Sequence, residues 1–589
     1  MAEDSWLKQF VDAPRAMFER VRLLTPSSVW EGAGLGVLAI AAGGSAMLFH
    51  GVTAWIERNT LGRLEAAGPE WFVWGSLATV VIGSALASWL IARFAPSAAG
   101  GGVLPVKLAF WREFGVMQKR EAVVKLIASS ITLGSGVSMG PEGPSIQIGA
   151  ATMSAAAGAA GVAKQSRRAW CAAGAAAGLA AVFNAPLAAI TFILEEIIGD
   201  LHSRLLGRVV VAAVVGALVA HAILGPQPAF QTSSLGAIGW RPWVLLPVVA
   251  VLAAFGGAWF QKIAMMLRGR LQVRPPGRFA PYRPVFGAVI TWAVGISVFF
   301  VTGHTGVFGI GYSDITAAIA GHIGLVAALL LFVGKIVATS GAVGTSGCGG
   351  IFAPSLFIGA MAGAGVAQAG SLLLPLAPGE HAMLVMTGMA ASLGAVIRTP
   401  LTCVLLIFEV TNQWVIVPAL MIAVVVSQVI ARMVNHHDMY EEILLQNGVD
   451  PNQVLPPRHF KRWREIPVSA LACFKPVVAR SLEPAALREL LATSPHQRFP
   501  VVGADGRVHG VLSRHQAELA AAGGAGEPRL EPPEWAAAKA TVGEARKRML
   551  SSGADFLCVG EAATGTLQGV MTLHDLLRGE SVLEEDAAT

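Results

Sequence analysis

The sequence predicts an all-α polytopic membrane domain made of internally duplicated helices, followed by a small α/β tail. Three observations lead there: a composition too apolar for a soluble chain, a glycine and proline block that occurs twice, and a strand pattern confined to the C-terminal part.

Of the 589 residues, 54% are hydrophobic and only 14% charged, whereas soluble domains carry about 25% charged residues. The depletion is uneven. From about Val29 to Val434 the chain is nearly charge-free between short basic loops, and after about Asn435 it turns normally polar. That shift divides a membrane domain from a soluble tail. Apolar runs at 30–55, 70–95, 206–225, 243–264, 284–302 and 320–340 are long enough to cross a bilayer, which takes about 20 residues. Segments 122–138, 146–163, 170–182, 186–198, 351–373, 383–397, 400–410 and 415–432 are shorter or interrupted, with Gly or Pro at their ends. Broken helices at membrane depth belong where they are buried in protein or line a site.

The first 28 residues carry mixed charges and spaced apolar residues, which reads as an amphipathic helix and not as a cleavable signal. The net charge of +6 resides in stretches such as Arg15–Arg22, Lys119–Lys125, Lys164–Arg168 and Arg268–Arg278. These read as loops flanking membrane spans, and nucleic acid is not an expected partner. The five cysteines (Cys171, Cys348, Cys403, Cys473, Cys558) lack metal spacing and read as small buried hydrophobes, so no metal is expected.

The repeat is explicit. Gly140-Pro-Glu-Gly-Pro-Ser-Ile-Gln-Ile-Gly-Ala150 lies over Gly350-Ile-Phe-Ala-Pro-Ser-Leu-Phe-Ile-Gly-Ala360 at an offset of 210, with six of eleven positions identical. At an offset of 214, Leu179, Ala181, Val182, Pro186, Leu187 and Glu195 meet Leu393, Ala395, Val396, Pro400, Leu401 and Glu409. Two blocks in one order mark a duplicated unit. The tail repeats itself too: Phe499–Ser513 and Phe556–Thr572 each read as strand, turn and strand, with helices at 485–493, 541–551 and 574–578.

The membrane blocks share a design in which glycines precede a proline and an apolar helix. Such helix starts leave backbone N–H groups free and pointed one way, and the helix dipole adds partial positive charge. At membrane depth that is an anion site without a formal charge. The alternative is that Gly140, Pro144, Gly350 and Pro354 merely allow close packing. Glu142 has Phe352 as its counterpart. A carboxylate there can occupy the place a permeating anion would take, and protonation would release it. Glu195 has a counterpart in Glu409 and reads as structural, capping free backbone donors. Glu196 has no such counterpart, because Val410 takes the matching place, and it reads as a proton acceptor near one membrane face.

Gly140-Pro-Glu-Gly-Pro144, Gly350-Ile-Phe-Ala-Pro354, Asn184-Ala-Pro-Leu187 with Glu195-Glu196, and Tyr440-Glu-Glu-Ile-Leu444 resemble, in order and spacing, signature segments of the CLC family of chloride channels and proton/chloride antiporters. The resemblance covers about residues 30–445, and the tail is similar to the paired CBS domains many members carry. It implies that the two halves are inverted in the membrane and that the protein is a homodimer with one pathway per subunit. It makes Glu142 the external gating glutamate and Glu196 the internal proton glutamate. It assigns the central anion to the backbone of Ile351 and Phe352, the hydroxyl of Tyr440 and the segments of Gly102 and Gly143. Two departures stand out. Gly101-Gly-Val-Leu-Pro105 replaces Gly-Ser-Gly-Ile-Pro, so Gly102 lacks the serine hydroxyl and selectivity among chloride, nitrate, bromide and fluoride stays open. Pro141 stands where a Lys or Arg usually precedes the gate, which weakens the field at the outer mouth.

The expected organisation is an amphipathic cytoplasmic helix over 1–29, a transmembrane domain over 30–445 (halves about 30–225 and 240–445), a linker over 446–465, CBS-like domains over 466–520 and 521–580, and a tail over 581–589. Proton-coupled anion antiport is expected, and the alternatives are a passive channel of the same architecture and a ligand sensor working through its tail. No enzymatic activity and no cofactor are expected, apart from an adenine nucleotide that Thr572 and Asp575 would hold. The expected location is the plasma membrane, that of a bacterial cell, with both termini cytoplasmic.

Overall fold

A computed structural model describes residues 27–201, 203–225, 227–230, 235–236, 238–272, 280–451, 454, 466–523 and 527–578. The amphipathic helix expected over 1–29 lies almost wholly outside the described residues. The chain forms two compact units, Met1–Leu455 and Pro456–Thr589.

The first unit is helical. Its first half comprises α1 (Ser27–Asn59), α2 (Leu61–Ala67), α3 (Pro69–Phe94), α4 (Val103–Arg112), α5 (Lys119–Gly134), α6 (Glu142–Ala159), α7 (Arg167–Phe183), α8 (Pro186–Phe192, continuing as a π-helical turn Ile193–Ile198) and α9 (Leu206–Leu224). The second half repeats that order, without a counterpart to the short α2, as α10 (Arg241–Gln272), α11 (Arg283–Thr302), α12 (Tyr312–Ile319), α13 (Leu325–Gly344), α14 (Phe352–Ser371), α15 (Pro378–Ile397), α16 (Pro400–Thr411) and α17 (Val417–Val434), and α18 (Met439–Gln446) follows. Packing repeats as well: α6 on α7 and α7 on α9, then α14 on α15 and α15 on α17, while α8 meets α16 across the halves. Close approach explains one shared glycine. A Cβ on Gly149 would strike the Gly174 carbonyl of α7, and one on Gly359 the Gly388 carbonyl of α15.

Among the described residues, nine helices are long and apolar enough to cross a membrane, and the chain is a multi-pass membrane protein. Three of the nine, Phe352–Ser371, Pro378–Ile397 and Trp414–Gln446, fall where the sequence pattern predicts interrupted segments. Their prolines stand in the first turn, where no N–H is needed, so they start the helix and do not break it.

Basic stretches read as loops also differ from expectation: Lys119–Lys125 lies within α5, and Arg268 lies within α10. Lys125 is no loop residue: it is fully buried on α5 and donates to the carbonyls of Ala98 (2.9 Å) and Gly100 (2.6 Å). At the same offset of 210, Lys335 on α13 is fully buried and donates to the carbonyls of Gly306 and Gly309, both at 2.8 Å. Each ammonium satisfies carbonyls of the irregular segment that leads into α4 or α12, groups no helix can pair. Four cysteines are buried, but Cys473 is exposed.

The second unit is α/β. In it α19 (Pro484–Thr493) precedes the antiparallel pair β1 (Arg498–Val502) and β2 (Val508–Ser513), and α20 (Arg514–Ala521) follows. Then β3 (Trp535–Ala536), α21 (Val542–Ser552), β4 (Phe556–Glu561) and β5 (Thr566–Thr572) form a sheet in which β4 lies between β3 and β5. Both hairpins carry a register shift at the same place, between Val501 and Val502 and between Val559 and Gly560. The segment before α19 is shared out: Val468 donates to the Ala540 carbonyl at 2.7 Å, and Cys473 bridges Val570.

Candidate anion site

The two repeated blocks meet. Gly140 and Gly350 form an antiparallel bridge, with N–H to carbonyl distances of 2.9 and 2.6 Å in the two directions. That contact sets the starts of α6 and α14 side by side in the buried centre. Pro144 and Pro354 stand in the two first turns. The Ser145 hydroxyl donates to the Glu142 carbonyl and the Ser355 hydroxyl to the Ile351 carbonyl, both at 2.7 Å. Both hydroxyls are therefore spent within their own helices.

Glu142 opens α6 and is fully buried. Its Oε1 accepts the backbone N–H of Phe352 at 2.5 Å, so the carboxylate of one helix caps the start of the other. The group lies between Gly140 and Gly350, where a Cβ on either glycine would collide with it. Among the described residues, Glu142 Oε2 has no hydrogen-bond partner. The Phe352 ring packs edge-on against Phe192, with centroids 5.0 Å apart. An N–H-lined helix start that holds a carboxylate can hold a monovalent anion by the same interactions.

Next to this centre lies a cavity of about 240 Å³ lined by Gly101, Gly102, Met139, Arg268, Ile351 and Tyr440, among others. It brings together Gly102, Ile351 and Tyr440 of the expected site. Asp438 holds Tyr440 in place by accepting the N–H groups of Tyr440 (2.8 Å) and Glu441 (2.9 Å) at the start of α18. Gly143 does not line the cavity; it packs on the Gly101 carbonyl. Gly102 has φ of +99°, and a Cβ there would run into the Gly143 carbonyl. The place of the absent serine side chain is thus taken by backbone.

The neighbouring carboxylates are used differently. Glu195 accepts the N–H groups of Leu401 (3.2 Å) and Thr402 (2.9 Å) at the start of α16. Glu409 accepts those of Leu187 (2.9 Å) and Ala188 (2.7 Å) at the start of α8. The two halves exchange caps. Glu196 is buried and makes an ion pair with Lys107 Nζ at 2.7 Å. Sequence reasoning missed Lys107. Its signal was a single lysine in the apolar stretch 103–111 of a segment at membrane depth.

In the tail, Thr572 Oγ1 donates to Asp575 Oδ2 at 2.7 Å and accepts the Asp575 N–H at 3.1 Å. The pair caps the helix over 573–578. A cavity of about 750 Å³ in the tail is lined by Trp535, Lys539, Arg548 and Gln568 among others, but not by Thr572 or Asp575. Among the described residues no group of three or more metal-ligating side chains occurs.

Residues 83–432 match the family model described as voltage gated chloride channel. An H(+)/Cl(-) exchange transporter ClcA from Vibrio campbellii is 31% identical over 395 residues, covering 64% of this chain and 82% of the relative. The crystal structure of a slow cyanobacterial Cl-/H+ antiporter matches with a TM-score of 0.62 at 23% identity, over 72% of this chain and 98% of that one. That of a eukaryotic CLC transporter matches with a TM-score of 0.58 at 18% identity, over 92% of this chain and 97% of that one. At these identities the two structures speak for the fold.

Proposed function

The chain belongs to the voltage-gated chloride channel (CLC) family, and from that premise we propose that it exchanges protons for chloride or a related small monovalent anion. One observation carries the proposal: the Glu142 carboxylate accepts the Phe352 N–H at the start of α14. It occupies the place an anion would take. Protonation weakens that bond and lets the side chain leave, and the anion then binds to the N–H groups of Ile351 and Phe352. The hydroxyl of Tyr440, in the adjacent cavity, meets the anion from the inner side. Glu196 takes protons from the cytoplasmic side and passes them toward Glu142. The related Vibrio protein is named as an H(+)/Cl(-) exchanger, which favours chloride as the anion.

The working unit is a homodimer in a bacterial cytoplasmic membrane, with one pathway per subunit and both termini in the cytoplasm. The tail is a CBS pair with a structural role. An adenine nucleotide at Thr572 and Asp575 requires their mutual bonds to open, and a calorimetric titration with ATP that shows no heat would leave the structural role standing.

The test is reconstitution in liposomes with chloride and pH electrodes read together. An outward chloride gradient should drive protons uphill, and Glu142→Gln should abolish proton movement while leaving chloride flux. Chloride flux without proton movement in the wild type would make the protein a passive channel. Replacing chloride by nitrate or fluoride in the same assay identifies the preferred anion.

A further inference from the structure

Lys107 is a buried cation near the pathway. It lies on α4, five residues beyond Gly102, with 2% of its side chain exposed, and its Nζ sits 2.7 Å from Glu196 Oε1. The partners come from segments far apart, α4 and the π-helical turn after α8. The charged groups facing them can be named. Asp438 and Glu441, at the start of α18, act electrostatically on both Lys107 and Glu196. Glu441 is in turn 3.6 Å from His437, and Arg398 acts on Asp438 and Glu441 from the end of α15. From α7, Arg168 donates to the Trp111 carbonyl at 2.9 Å, and the Trp111 indole N–H donates to the Ile197 carbonyl at 2.9 Å. One ammonium is thus paired with one carboxylate, and two further carboxylates act on that pair from the start of α18.

We propose that Lys107 is a positioning residue that latches Glu196 and makes proton loading from the cytoplasmic side the step that sets the pH dependence of exchange. The inference rests on the reading of Glu196 as the inner proton acceptor. A buried carboxylate facing an ammonium at hydrogen-bond distance is held in its charged form and in one rotamer. To take a proton, Glu196 must part from Lys107, whose ammonium then needs another acceptor. Asp438 and Glu441 supply it. The latch therefore has two positions, Lys107 on Glu196 or Lys107 toward α18, and exchange proceeds through the second. Acidification of the cytoplasmic side favours that second position, so wild-type exchange rises steeply as internal pH falls.

The test uses the full chain in liposomes, with proton and chloride fluxes measured while internal pH is stepped from 8 to 5. Lys107→Met removes the latch, and the midpoint of the rate profile should move toward higher pH by about one unit or more. Lys107→Arg keeps the charge and should keep the wild-type midpoint. Should Lys107→Met fail to fold, the double variant Lys107→Met with Glu196→Gln pairs two neutral groups. It should fold and transport chloride with a rate that no longer depends on internal pH. A wild-type midpoint retained in Lys107→Met overturns the proposal, as does a double variant that keeps the wild-type pH profile. Wild-type chloride flux without any proton movement instead overturns the antiporter reading, and the latch falls with it.

Discussion

Gly102→Ser supplies the serine that the resemblance to the CLC family implies at the start of α4, and the structure predicts that it harms the protein. The residue has φ of +99° and ψ of −30°, a conformation that costs an L-residue about 1–3 kcal/mol. The new Cβ would also overlap the Gly143 carbonyl. That oxygen belongs to the first turn of α6 and cannot swing aside as a flexible side chain could. Relieving the overlap by backbone shifts costs about 1–3 kcal/mol more, for a total of roughly 2–6 kcal/mol. If half of this appears in the unfolding rate, the detergent-solubilised protein should lose its folded form roughly five- to 150-fold faster at a fixed temperature. Size-exclusion chromatography after timed heating measures that loss. Gly102→Ala serves as the control, because it brings the same Cβ without the hydroxyl and should be as damaging. In liposomes, surviving Gly102→Ser protein should not discriminate chloride from nitrate better than the wild type. A Gly102→Ser protein as durable as the wild type and more selective for chloride would refute the argument that backbone fills the serine's place.

Other expectations follow from the same geometry. Glu195→Gln and Glu409→Gln each weaken the cap of a helix start in the other half, and each should cost about 0.5–2 kcal/mol of stability, read by the same heating assay. Neither should alter the ratio of protons to anions, and a changed ratio in Glu195→Gln would put that residue on the proton path. Lys335→Met strips the Gly306 and Gly309 carbonyls of their donor and should cost about 2–6 kcal/mol, at about 1–3 kcal/mol for each stranded group. In the tail, burial pushes the Cys558 thiol up to about 12. Below that pH it is a neutral thiol and a poor nucleophile. At pH 8 a maleimide should therefore label the exposed Cys473 and spare Cys558 until the tail is unfolded, which peptide mass spectrometry can follow.

Much of the site was legible in the sequence because a bilayer tolerates so little polarity without a use for it. A carboxylate at the head of an apolar segment, and a glycine and proline block occurring twice, have little to do there except serve a site. The pairing of Glu196 with Lys107 was not legible. The two are 89 residues apart, and no local pattern reports a contact that tertiary folding creates. Lys125 was misplaced for a related reason, since a lysine beside charged neighbours looks like a loop residue until a carbonyl cradle is built around it. Its match with Lys335 at the repeat offset was available in the sequence, and symmetry was the signal that could have moved it inside. Helix ends were misjudged because proline breaks a helix in its middle but begins one in its first turn, and periodicity alone does not distinguish the two positions.

The bridge between Gly140 and Gly350 also bears on how a duplicated gene can diverge. After duplication, most matching positions in two copies are free to drift, because each meets its own surroundings. These two blocks are each other's surroundings. A residue larger than glycine at either bridge position would be felt by both helix starts at once, so neither copy can vary there alone. The stretch in which the two halves remain most alike is therefore the stretch in which they touch, and the internal likeness survives as the trace of a contact between copies that must still fit one another.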